Sequence, residues 1–216
     1  MQLPDEVLAF LRDAGPLRDR RLRINPLTAE QCAVRTEALR EIPVVAALGL
    51  IALDDADDSN PFCLITSGPA SGMVVHFFHD PEPELCYSSL RQFLDALRVA
   101  HRDRLTIDDL PRPVLDPHPD QALLTTFLQA WLHGDHDDAV IALQIHYPLL
   151  ERANLDVLRD TASHVDPLIR EIAARFIERH ADPAHRAIAT RLASDPYPQV
   201  AVPARRALGV MAARER

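Results

Sequence analysis

Residues 59 to 80 read SNPFCLITSGPASGMVVHFFHD, a stretch that holds a cysteine, two of the six glycines and two histidines. Its reading decides whether the first half of the chain is built around a reactive loop or around a turn. A phosphate cradle needs glycine-bounded amides that run into a helix N-terminus, but SGPASG runs into MVVHFF, a strand signal. A cysteine nucleophile needs a histidine beside Cys63, yet Cys63 sits inside the apolar run PFCLI, where burial keeps a thiol protonated and inert. A hairpin asks less: Gly68 and Gly72 supply positive φ in the loop and Pro69 fixes the turn. The hairpin is the reading adopted.

Working outward, IPVVAALGLIALDD and NPFCLITSG read as strands, short apolar runs bounded by Pro, Gly and Asp, and GMVVHFFHD as a third. Before them, LPDEVLAFLRDAG spaces Leu3, Val7, Leu8 and Leu11 for an amphipathic helix, and TAEQCAVRTEALREI opens with Thr28 and Gln31 at capping-box spacing. After them, Ser89 and Gln92 repeat that spacing ahead of a helix with Leu90, Phe93, Leu94 and Leu97 on one face. Helices at both ends of a run of strands predict an α+β domain over residues 1–108, an antiparallel sheet flanked by helices.

Residues 109–120, DLPRPVLDPHPD, hold four prolines and predict a stiff linker. Residues 121–216 then predict an all-α domain of six short helices separated by Asp, Gly and Pro, arranged as antiparallel hairpins. Asp166-Pro167 recurs as Asp195-Pro196, and Ile169, Ala173 and Ile177 recur as Val200, Ala204 and Leu208; Val140 and Leu143 extend the pattern backward. With a period near 30, this array looks like short HEAT repeats, although Arg170 is answered by Ala201 and Pro203 is expected to interrupt the last helix.

All 23 cationic side chains are arginine, which excludes Schiff-base and P-loop lysine chemistry. Net charge is −9, with 19 carboxylates against 12 arginines up to Asp116 (−7) and 13 against 11 beyond it (−2). The first half is therefore expected to repel nucleic acid and attract a basic partner. Three cysteines without CxxC spacing argue for buried free thiols rather than disulfides or zinc. No apolar run spans a bilayer and the first residues are acidic, so no membrane association and a cytoplasmic location are expected.

His76 and His79, three apart in a strand, face opposite ways and cannot share a metal. The cluster HGDHDD, His133 to Asp138, gathers two histidines and three carboxylates, but lies between helices where Gly134 reads as a stop and Asp135 or Asp137 as the next N-cap. His180 and His185 flank a similar turn. No catalytic, cofactor or metal site is expected. The most concentrated charge is DDADDSN, with Asp54, Asp55, Asp57 and Asp58 at a strand end; Glu82 and Glu84 of EPELCY follow the third strand, and together they form one acidic edge suited to a cationic protein.

The first hundred residues resemble the SUKH superfamily, whose pattern is an early P...fL helix, a glycine-hydrophobic strand, an acidic-polar loop, a hairpin to V-aromatic-H-D/E and a closing sF..fL..L helix. The matching residues are Leu3, Pro4, Phe10, Leu11, Gly49, Leu50, Ile51, Ser59, Asn60, Phe62, Gly72, Val75, Phe77, His79, Asp80, Leu90, Phe93 and Leu94, with Phe78 where tryptophan is frequent. The resemblance implies a non-enzymatic domain of a kind that often serves bacteria as an immunity protein, bound to a cognate polymorphic toxin that is frequently a basic nuclease. The functional expectation is an antitoxin-like binding protein acting through Asp54, Asp55, Asp57, Asp58, Glu82 and Glu84. A scaffold or regulator that uses the helical-repeat surface, with no toxin involved, is the alternative.

Overall fold

The computed structural model describes residues 2–54, 60–77, 83–134 and 138–214, and the chain divides into two compact units, Met1–Asp116 and Pro117–Arg216. The first is α+β. Helix α1 (Asp5–Ala14) buries Val7, Phe10, Leu11 and Ala14, and α2 (Ala29–Leu39) starts at a complete capping box in which Thr28 and Gln31 bond each other's backbone N–H at 3.2 and 2.9 Å. Four strands follow in a meander of antiparallel order β1-β2-β3-β4: β1 (Ile51–Ala52), β2 (Phe62–Leu64), β3 (Val74–His76) and β4 (Glu84–Tyr87). Helix α4 (Leu90–Asp103) closes the unit, its first turn capped by Ser89.

Two of these elements differ from the sequence expectation. Residues 43–48, read as strand, form a helix, α3 (Pro43–Leu48). Its buried positions Val44, Val45 and Leu48 have helical spacing, Pro43 occupies the first turn where its missing N–H costs nothing, and Gly49 ends it at φ 61. A methyl group at Gly49 would run into the Thr66 hydroxyl, which donates to the Gly49 carbonyl at 2.7 Å. The strand signal is left with Ile51 and Ala52 alone. Conversely, ELCY, which the sequence marks only by its charge, forms β4.

The strands are short and buried on both faces. On one face Phe62 and Tyr87 meet Phe93 of α4, with centroids 4.8 and 5.0 Å apart, and Phe93 stacks on Phe10 of α1 at 5.5 Å. The other side of β1 is an edge, and α2 covers it: Thr36 Oγ1 accepts from the Ala52 N–H at 3.1 Å and Cys32 Sγ donates to the Ala52 carbonyl at 3.0 Å. The hairpin between β2 and β3 turns at Gly68 (φ 80) and Gly72 (φ 87).

The second unit is all-α: α5 (Gln121–His133), α6 (Ala139–His146), α7 (Leu155–Ala162), α8 (Pro167–His180), α9 (Arg186–Leu192) and α10 (Pro198–Arg214). Consecutive helices pack as pairs, and each packs on the helix two further along, α5 on α7 on α9 and α6 on α8 on α10. Two layers result. Buried alanines at 173, 174, 189, 201, 204 and 207 let the later helices approach closely.

The structure also moves the register of the repeat. Both α8 and α10 begin on a proline, Pro167 and Pro198, so Asp166 matches Tyr197 rather than Asp195. Asp166 caps α8 by accepting from the Leu168 N–H at 2.8 Å. Asp195 instead receives the Arg170 guanidinium in two bonds of 2.7 and 3.2 Å, tying one helix pair to the next. Pro203 is buried within α10, which continues through it rather than breaking.

Candidate binding surface

In a four-stranded meander the connections β1–β2 and β3–β4 leave the same end of the sheet, and these are the two connections that carry the acidic runs. Their described anchors stand in one row. Asp54 Oδ1 accepts the Phe62 N–H at 2.6 Å, Phe62 pairs with His76 across β2 and β3, and His76 pairs with Glu84 across β3 and β4. Asp55, Asp57, Asp58 and Glu82 lie outside the described residues. The row brings Asp54 and Glu84 to the same sheet end, but gives them different work.

Asp54 is half-buried and spends one carboxylate oxygen on holding β2, while its backbone bridges to Pro26. Glu84 is exposed at the start of β4, with an oxygen 3.6 Å from Arg112 Nε. Arg112 was not singled out in the sequence, where it is one arginine among prolines. Its guanidinium donates to the Tyr87 hydroxyl and to Asp108 Oδ1, both at 3.1 Å, and lies over the Phe62 and Tyr87 rings at 5.7 and 5.9 Å. This places a half-buried cation beneath the acidic end, where it neutralises part of the charge of Glu84.

The reactive alternatives fail on geometry. Phe62 and His76 are cross-strand partners and stack at 4.0 Å, so alternation sends Cys63 to the opposite face of the sheet. All three cysteines are buried and reduced. Burial pushes Cys32 up to about 11 and Cys86 up to about 12, and raises Cys63 well above the ordinary thiol value, so none offers a thiolate near neutral pH. In SGPASG three amides serve backbone carbonyls: Ser67 N–H bonds Leu48, Ser71 N–H bonds Gly68 and Gly72 N–H bonds Ile65. That loop leads into β3, not a helix.

Of HGDHDD, His133 ends α5 and Asp138 precedes α6, whereas residues 135–137 lie outside the described residues. Helix α6 takes Asp138 as its N-cap residue, without a side-chain cap bond, rather than Asp135 or Asp137. Among the described residues no three His, Cys, Asp or Glu side chains are gathered to hold a metal. His79 also lies outside them. His185 is buried, its Nε2 2.7 Å from the Arg152 carbonyl, and serves packing. Among the described residues no helix is long and apolar enough to cross a membrane. No protein-family model, curated protein or solved structure matches the chain.

Proposed function

We propose that this protein is a non-enzymatic binding protein of the immunity type, which captures a basic surface on a cognate toxin domain through the acidic end of its sheet. In this reading the first unit is a SUKH-like domain and the helical unit a short HEAT-like array that offers a second surface. One observation carries it: Asp54 and Glu84, the described anchors of two acidic connections, lie on one cross-strand row at one end of the sheet. Carboxylates gathered on a single edge raise the encounter rate with a cationic partner and set its orientation. Nuclease domains that bind phosphates present such cationic faces.

The work divides by position. Asp54 braces β2 from within, so the contact falls to Asp55, Asp57, Asp58, Glu82 and Glu84. The test is co-expression with the basic domain encoded by the adjoining reading frame, followed by calorimetric titration. The complex should form and protect cells, and replacing Asp55, Asp57 and Asp58 by asparagine should weaken it at least about tenfold and flatten its salt dependence. Undiminished affinity would discard the interface; an adjoining frame without a toxic product would discard the immunity reading in favour of a scaffold.

A further inference from the structure

Residues 18–23, RDRRLR, put four arginines into six positions of a chain with net charge −9. The fold holds them as a closed loop. Asp19 and Ile24 exchange backbone hydrogen bonds of 2.9 and 3.1 Å, Leu22 and Ile24 are buried beneath, and the Arg18 guanidinium donates to the Pro26 carbonyl. The Asp19 carboxylate accepts the Arg21 N–H at 3.0 Å and Arg104 Nη1 at 2.8 Å, fastening the loop to the end of α4. Arg23 and Arg104 both hold left-handed backbone, φ 56 and 59, a region that residues with a Cβ enter at a cost.

What this loop displays is cationic. Arg23 and Arg104 side chains are 66% and 59% exposed and pair with Asp108 at 3.8 Å and Asp19 at 2.8 Å, whereas Arg20 and Arg21 are exposed with guanidinium groups that have no partner among the described residues. We propose that the loop of residues 18–23, together with Arg104, is a docking site for a short acidic segment of a partner protein. The closed loop holds the backbone of Arg20 and Arg21 in place, and each planar guanidinium fork matches a carboxylate in two parallel bonds. The site adjoins the acidic sheet end through Asp108, which lies 3.8 Å from Arg23 and 3.1 Å from Arg112, but it uses charge of the opposite sign and does not depend on the toxin reading.

The chemistry favours a short acidic peptide over nucleic acid for two reasons. Charges are screened over about 10 Å at 0.1 M salt, so a short segment feels the arginines, whereas a long polyanion also meets the acidic remainder of the unit. A nucleic-acid strand further wants exposed rings to stack on, and the described aromatic side chains of this unit, Phe10, Phe62, Phe77, Tyr87 and Phe93, are all buried.

The experiment uses the full chain and a fluorescein-labelled decapeptide of alternating Asp and Glu, read by anisotropy at about 0.1 M salt. R20E/R21E should weaken binding at least about tenfold with an unchanged circular dichroism spectrum. R91E, an exposed arginine at the other end of α4, about 20 Å away along the helix, should leave it within about twofold. Absence of peptide binding by the unsubstituted protein, an equal loss in R91E, or tighter binding of a ten-nucleotide oligothymidine would each overturn the proposal.

Discussion

In the unit that carries the sheet, one cluster of rings, Phe10, Phe62, Tyr87 and Phe93, brings together α1, β2, β4 and α4. The helical unit gathers fewer Phe and Tyr rings, with Tyr147, His180 and His185 around Phe176 at 5.3, 4.5 and 5.9 Å. Its pairs are joined by small side chains and by a series of polar stitches: Gln121 to the Leu149 carbonyl, Asn154 to Thr125, Arg170 to Asp195 and Arg214 to the Ala181 carbonyl. Packing is therefore more concentrated in the first unit and more distributed in the second. A concentrated core fails at one residue, whereas a distributed one loses stability in increments.

The comparison would break first at Phe62. Phe62→Ala removes a fully buried ring that touches three others and the Arg112 guanidinium, and should lower stability by about 3–5 kcal/mol in urea denaturation. A loss below about 1 kcal/mol would mean that the cluster is not the centre described.

Acid comes next, and it strikes the helical unit. His146 is fully buried with Nδ1 2.8 Å from the Ala142 carbonyl, and burial lowers its pKa from 6.5 to about 4. Since the folded value is depressed, the stabilisation is complete above pH 6.5, falls as the unfolded chain takes up the proton between 6.5 and 4, and levels off below. The full change is about 3 kcal/mol. His180 is lowered to about 4 as well, chiefly by burial, and adds in the same direction. Denaturation curves at pH 7 and 4.5 should converge for His146→Leu relative to the unsubstituted protein; parallel losses would remove His146 as the cause.

The smallest expected effect tests the stitches. Arg170→Ala leaves Asp195 without its bidentate partner, in a pair whose side chains are 13% and 8% exposed, and should cost about 2 kcal/mol. A double-mutant cycle with Asp195→Ala should return most of that as coupling energy. No coupling would strike this pair from the stitches that join the helix pairs.

The same contrast explains what could be read in advance. Four of the six helices of the second unit are marked locally at their starts, by Asp120, Asn154 and Asp166 caps and by Pro167 and Pro198 at first turns, whereas α6 and α9 begin without a side-chain cap bond. In the first unit the hairpin at Gly68 and Gly72 and the caps at Thr28 and Ser89 were equally local and legible. Strands were harder because β1 and β2 are two and three residues long and buried, which leaves no alternation to see. Val44 and Val45 suggested strand by their branching, but proline before and glycine after them, with two alanines between, set a helix.

The candidate surface was half legible. Six carboxylates in two runs stood out as charge, yet nothing in sequence told Asp54, which bonds inward to Phe62, from Glu84, which remains exposed. Arg112 was invisible because its partners, Tyr87 and Glu84, are 25 and 28 positions away. The run RDRRLR is positive charge within an acidic half, and only the structure shows the bridge between Asp19 and Ile24 that closes it into a loop.

Arg112 sets where this chain can be divided. A fragment that stops at Asp108 sheds the guanidinium that lies across Phe62 and Tyr87, wetting two ring faces of the central cluster and leaving the Tyr87 hydroxyl without its donor. A cut after Asp116 keeps the cation in place. Eight residues of proline-rich chain, which look dispensable in a dissection, belong to the piece on their N-terminal side.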